Sequence, residues 1–300
     1  MKIIKVKFIF LVFLPLICFG QLPNELIVCG DNQVIFFDVN QSIDTIPHIT
    51  WQWQADDAST LPNEYRTQYF QSIDECKPVA SSTQLLITSS SGGVALIDIA
   101  TKKILFYALV GNAHSAELLP NNRIAVMSST HDQGNRIVLF DIARSETPIF
   151  HDSIYSGHGV VWDKKDELLY ALGYDELRAY RLKNWMTESP SLEIISSWKI
   201  PGESGHDLSS WSKDPNKLIL TEHESVWLFD KSTHEFEPFV PLRARKDVKA
   251  ISHHPSTYRM AYIQAEISWW SHRVYLTDPN QWFSFPGIQL YKVRWVTGSQ

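Results

Sequence analysis

The sequence predicts an all-β, six-bladed β-propeller closed by N- and C-terminal strands that share one blade. Three observations carry this. A short apolar strand ending in aspartate recurs: VIFFD to Asp38, VALID to Asp98, IVLFD to Asp141, VWLFD to Asp230 and RVYLTD to Asp278, with LRAYR ending at Arg181 in the remaining unit. The segments that open successive units start at Glu75, His114, His158, His206, Lys249 and Tyr291. They are separated by 39, 44, 48, 43 and 42 positions, the period of a propeller. Finally, the first unit lacks an opening segment, and the last segment, YKVRWV, is an opening strand without followers. Joining the two completes a blade and leaves no bare sheet edge.

The clearest unit is GHDLSSWSKDPNKLILTEHESVWLFD, from Gly205 to Asp230. It enters an inner strand through Gly-His, turns at Lys213-Asp214-Pro215-Asn216, and continues as two apolar strands. Inner strands are expected over residues 75–80, 114–119, 158–163, 206–211, 249–254 and 291–297. Second strands are expected over 25–30, 84–90, 123–129, 167–173, 217–222 and 259–264. These runs are short, β-branched and aromatic, and bounded by turn residues such as Pro120-Asn121-Asn122, which favours strand over helix. Fourth strands follow at 49–54, 104–110, 148–154, 193–200, 236–242 and 282–287. Residues 55–74 form an excursion between the first two blades.

Residues 1–20 combine a basic start (Lys2, Lys5, Lys7), an apolar run from Phe8 to Phe19 and a small residue, Gly20, as in a secretory signal peptide. The run is shorter than the roughly 20 apolar residues that span a bilayer, and Leu-Pro-Leu-Ile before Cys18 does not fit lipidation. The chain is therefore expected to be exported, periplasmic or extracellular, and soluble after cleavage. Residues 21–300 would form a single propeller domain. Cys29 and Cys76 remain, expected as buried free thiols, with a disulfide as the alternative. A net charge of -6 and the lack of a basic patch argue against nucleic-acid binding.

The Gly-His entry and the closing Asp, 24 residues on from His206, resemble the tryptophan-aspartate repeat propellers. That resemblance implies a buried network joining histidine and aspartate, although Arg181 stands where the unit of His158 should have its aspartate. AHSAELLPNNRIAVMSS, GHGVVWD and YKVRW together resemble a family of exported Gram-negative bacterial propellers of unknown function. The architecture alone is similar to propeller lyases of uronic-acid polysaccharides.

Inner-strand starts and the loops between second and third strands share one face of a propeller. Glu75, His114, His158, His206, Lys249 and Lys292 are thus expected to ring one mouth of the channel, with Lys77 and Arg294 as rivals if the register slips by two. His131, His223, Glu224 and Gln264 would stand on the same rim. Convergent titratable groups in a concavity mark a binding site, but inner-strand histidines also serve as hydrogen-bonded scaffold. No residue is singled out as catalytic. No cofactor or metal is expected: the lysines oppose a cation, and His253-His254 would point to opposite faces of a strand.

The cations suit an anionic carbohydrate or small acidic ligand. A lyase is the alternative, with a lysine or arginine neutralising a uronate and a histidine as general base. Hydrolysis needs two carboxylates, for which Glu75, Glu203 and Glu224 are the only ones placed. A protein-interaction scaffold with a purely structural ring is the third possibility. Trp269 and Trp270, or Trp51 and Trp53, are candidate sugar platforms, whereas Trp162 and Trp211 are expected in the core.

Overall fold

The computed structural model describes residues 24–296; the expected signal peptide, its cleavage point before Gln21, and Thr297 lie outside them. Blade one contains β1 (Glu25–Gly30), β2 (Gln33–Ile43) and β3 (Ile46–Gln54). Blade two is β4 (Ile73–Val79), β5 (Gln84–Ser89), β6 (Gly93–Asp98) and β7 (Ile104–Leu109). Blade three is β8 (Ala113–Leu119), β9 (Arg123–Ser128), β10 (Arg136–Asp141) and β11 (Pro148–Ser153). Blade four is β12 (Gly159–Asp163), β13 (Leu168–Leu172), β14 (Glu176–Lys183) and β15 (Ser191–Lys199). Blade five is β16 (Asp207–Ser210), β17 (Lys217–Thr221), β18 (Val226–Asp230) and β19 (Glu235–Pro238). Blade six is β20 (Val248–His253), β21 (Met260–Gln264), β22 (Arg273–Leu276) and β23 (Gln281–Ser284).

The last strand, β24 (Leu290–Trp295), pairs antiparallel with β1 and completes blade one, so each of the six sheets has four strands. The inner strands touch in a closed cycle, β24 to β4, β8, β12, β16, β20 and back to β24. This is the six-bladed propeller closed by both termini that the repeat pattern predicts.

Six apolar clusters fill the six interfaces between blades. Between blades six and one, Phe37 packs edge-on against Phe283 and Phe285 at 5.1 and 5.3 Å, with Trp295 from the closing strand buried beside them. Burying one such side chain stabilises by about 1.5–3 kcal/mol, so the closure is held by core as well as by ladder. The excursion after β3 packs inward: Ala55, Ala58, Leu61, Tyr65 and Phe70 join the cluster between blades one and two. Trp53 is buried in that cluster and Trp51 packs on it, so neither is a platform. Trp162 and Trp211 pack against interblade clusters as expected.

The network implied by the tryptophan-aspartate resemblance is not formed. Asp230 pairs with Lys217 at one end of the blade-five ladder, whereas the amide of His206 donates to Thr221 at the other. The recurrent aspartates instead hold the turns after the third strands. Asp38, Asp98, Asp141 and Asp230 accept the backbone N–H of Asn40, Thr101, Ala143 and Ser232 at 2.7–2.9 Å. Short acidic side chains favour such turns because they replace a backbone acceptor. Cys29 and Cys76 are buried free thiols. Among the described residues, no helix is long and apolar enough to cross a membrane.

Candidate functional site at the channel mouth

One residue near the start of each inner strand stands outside the ladder. In β4, Ile73 and Glu75 pair with consecutive residues of β5, leaving Asp74 over; in β8, β20 and β24 the same happens at His114, Lys249 and Tyr291. His158 and His206 immediately precede the first pairs of β12 and β16. A β-bulge re-aims a side chain, and bulges are common beside functional sites. At the last of them, a Cβ on Gly30 would lie 2.1 Å from the carbonyl oxygen of Gln289, so only glycine admits this approach of β1 to the closing strand.

The residues at matching positions are therefore Asp74, His114, His158, His206, Lys249 and Tyr291. The sequence-based ring had Glu75 and Lys292 in two of these places; each lies one residue further along its strand. The mouth residues form a contacting arc. The rings of His114 and His158 are 4.3 Å apart, those of His158 and His206 5.7 Å, and those of His114 and Tyr291 5.8 Å. Lys249 Nζ donates to His206 Nε2 at 2.8 Å.

Hydrogen bonding fixes two tautomers. His114 Nδ1 lies 3.1 Å from the carbonyl oxygen of Asn112, and His158 Nδ1 lies 2.9 Å from that of Ser156. A carbonyl only accepts, so both rings carry the proton on Nδ1 and keep Nε2 as an acceptor. Burial lowers His114 to about 4, with Lys292 and Lys249 adding to the effect, and lowers His158 well below its usual range, with the neighbouring imidazoles and Lys292 adding to it. Both are neutral at pH 7. Burial also lowers His206, with Lys249 and Lys292 adding to the shift, and lowers Lys249 against the opposing pull of Asp247. Asp74 accepts the amide of Ser90, and its burial raises the carboxyl to about 7 against the opposing pull of Ser90 and Lys292.

Immediately beneath lies a closed ion layer. Arg294 forks to Glu75 at 2.9 and 2.8 Å and to Asp207 at 2.8 and 2.9 Å, while Lys292 Nζ meets Asp207 at 2.7 Å. Ser115 Oγ donates to Glu75 and the amide of Ile251 to Asp207, so both carboxylates are satisfied. Burial works against their ionisation, yet Arg294 and the lysines hold both below the usual carboxylate range. Two positive and two negative charges balance. A level lower, Lys77 bonds Glu117 at 3.0 Å and the carbonyl of Val160 at 2.8 Å.

Glu75, Lys292, Arg294 and Lys77 thus belong to the channel filling, and His114, His158, His206 and Lys249 to its mouth. His223 joins the mouth through Asp247 at 2.9 Å, and Asp247 in turn accepts from Lys249 at 3.2 Å. His131 stays exposed in its own loop, where it accepts the amide of Gln133. Glu224 flanks His223 at 3.6 Å, and Gln264 meets Arg245 instead of the arc. Trp269 is 55% exposed on a loop between second and third strands. Asp74, Tyr291, Asp207 and Asp247 escaped sequence reasoning. Anchoring each unit on its second strand, at Cys29, Thr88, Met127, Leu172, Thr221 and Ile263, would have exposed the extra residues.

The arc lies over a filled channel, with Asp74, Lys249 and Tyr291 buried and the three histidines half-buried, and cavities lie elsewhere. One of about 600 Å³, walled by Pro78, Glu117 and Trp162, opens at the opposite channel end; others of about 400 and 490 Å³ lie beside Phe150 and beside Phe239. His206, His223 and Asp247 are the described residues whose donor atoms group as metal ligands would, all within 4.8 Å of one another.

A chain in the crystal structure of a nidogen/laminin complex is similar in fold, with a TM-score of 0.60 at 10% identity, covering 90% of this chain and 97% of that one. A chain in the crystal structure of a mitotic checkpoint complex has a TM-score of 0.56 at 8% identity, covering 84% and 71%. At such identities the likeness is one of propeller architecture. No curated protein matches significantly. The model of a family described as a family of unknown function, DUF6528, matches residues 21–299, and the chain belongs to that family.

Proposed function

We propose that this chain is an exported single-domain propeller that binds an anionic carbohydrate, of the uronic-acid class, across the arc at its channel mouth. The observation that supports this reading most is the pairing of donors and acceptors there. His114 and His158 offer neutral Nε2 acceptors suited to sugar hydroxyls, and Lys249, already bridging His206 Nε2 and Asp247 Oδ1, is the cation of the arc toward which a ligand carboxylate would be drawn. Trp269, exposed on a loop of the same face, is available to stack on a sugar ring. The lyase alternative has less support, because Lys292 and Arg294 are already neutralised by Asp207 and Glu75.

The test is calorimetry against a panel of uronic-acid oligosaccharides, with absorbance followed for unsaturated uronate. Saturable binding without an absorbance rise, weakened at least about tenfold in His158→Gln by loss of a positioned acceptor, is the expected result. A rise in absorbance would replace binding with lyase chemistry. Silence across the panel would leave the scaffold reading.

A further inference from the structure

The carboxylate beside Lys249 changes what the mouth can hold. We propose that His206, His223 and Asp247 form a site for a divalent transition-metal ion of the zinc class, and that Lys249 is the built-in counter-ion such a metal displaces. His206 opens the inner strand of blade five, His223 stands on the loop between β17 and β18, and Asp247 precedes β20 of blade six. Backbone bonds hold these loops together: the amide of Asp247 donates to the carbonyl of His223 at 2.8 Å, and that of Ala265 to the carbonyl of Asp247 at 2.9 Å. The donor atoms lie within 4.8 Å of one another before any ion draws them in.

A further observation points to a cation. One is already seated there: Lys249 Nζ sits 2.8 Å from His206 Nε2 and 3.2 Å from Asp247 Oδ1, bridging two of the three donors. Two imidazoles and one carboxylate suit zinc or its first-row neighbours better than calcium or magnesium, which prefer all-oxygen sets. The half-exposed His223 leaves the outer side open for water or a ligand oxygen as a fourth donor. The sequence-based expectation of no metal rested on two opposing lysines and on the absence of a His pair at ligand spacing other than His253-His254, which would point to opposite faces of a strand. Lys292 is cancelled by Asp207, and Lys249 is held by a carboxylate that the repeat pattern did not reveal.

The metal site shares Lys249 with the carbohydrate reading, so its test uses metal alone and no sugar. Untagged protein is stripped with a chelator and titrated calorimetrically with Zn²⁺, Mn²⁺ and Ca²⁺. Zn²⁺ should bind one to one and Ca²⁺ should not. His223→Ala, at an exposed position, should weaken Zn²⁺ at least about tenfold by removing one of three ligands. Lys249→Met should strengthen it at least about tenfold, because no ammonium then competes for the donors. Should Lys249→Met not fold, Asp247→Asn serves instead and should weaken Zn²⁺ as His223→Ala does. Absence of one-to-one Zn²⁺ binding, or binding that His223→Ala leaves unchanged, overturns the proposal.

Discussion

Two adjacent layers of the same channel, one to three residues apart along the inner strands, are built on opposite rules. The lower one, Glu75, Asp207, Lys292 and Arg294, is buried and closed, each charge facing an opposite charge at 2.7–2.9 Å. The upper one, Asp74, His114, His158, His206, Lys249 and Tyr291, is avoided by the ladder and holds atoms with no partner in the protein, such as His206 Nδ1. Burying charge is tolerated only where it is paired and hydrogen-bonded, so the lower layer has no bonding capacity left for a ligand.

The largest expected effect breaks the lower layer altogether. Ending the chain after Gly287 removes β24, and with it both Lys292 and Arg294, the ladder to β1 and the buried Trp295. Thermal unfolding followed by circular dichroism should lose its cooperative transition; a truncated protein that melts like its parent would refute closure by β24. Arg294→Met is gentler. It leaves Glu75 and Asp207 buried with Lys292 as the one remaining cation of the layer, which should cost about 3–5 kcal/mol in denaturant titration. A loss below about 1 kcal/mol would mean that the layer is not electrostatically closed.

How much of this was legible depends on what each layer does to the pattern. Blade count, strand order and closure follow from apolar runs such as ELIVCG, RIAVMSS and KLILTE, because packing between blades buries these second strands on both faces and so repeats a near-continuous apolar run in every copy. A bulge adds one residue with no compositional mark. Aligning inner strands by their charged or aromatic starts therefore placed Glu75 and Lys292 at the mouth instead of Asp74 and Tyr291. Asp207 was hidden for another reason: it falls inside the expected inner strand 206–211, next to the His206 assigned to the mouth, and nothing in the repeat marks it as the partner of Lys292 and Arg294. Asp247 lies just before its strand, in a loop without a repeat counterpart, and only the folded backbone brings it to His223.

The upper layer should reveal itself through pH. Asp74 titrates near 7 in the fold against an ordinary value near 4, so between these the folded state holds a proton the unfolded chain has lost, and stability falls as pH rises. Its full weight, present below about pH 4 and gone above about 7, is on the order of 4 kcal/mol. His114 acts in the opposite sense. Lowered to about 4 from 6.5, it stabilises fully above pH 6.5, and that stability is lost as pH falls toward 4; His158 follows the same direction. The two contributions oppose each other across pH 4 to 6.5. Asp74→Asn should therefore steepen the loss of stability on acidification and gain stability at pH 7 and above. Denaturant midpoints measured from pH 4 to 8 check this, and parallel curves for mutant and parent would show that Asp74 does not titrate there.

The smallest expected effect is the one that separates mouth from scaffold. His158 Nδ1 donates to the carbonyl of Ser156, two residues upstream, and a glutamine amide can donate in its place, so His158→Gln should change stability by less than about 1 kcal/mol. His206 accepts from Lys249, which keeps Asp247 when the imidazole is gone, so His206→Gln should cost no more than about 1 kcal/mol. Were these side chains members of a closed network like the one below them, each replacement would strand a desolvated partner and cost about 1–3 kcal/mol. Melting curves of the two single mutants, set beside that of Arg294→Met, measure the difference directly. Losses at His158 and His206 as large as the loss at Arg294 would make the upper layer a second structural layer and remove the ground for a ligand at the mouth.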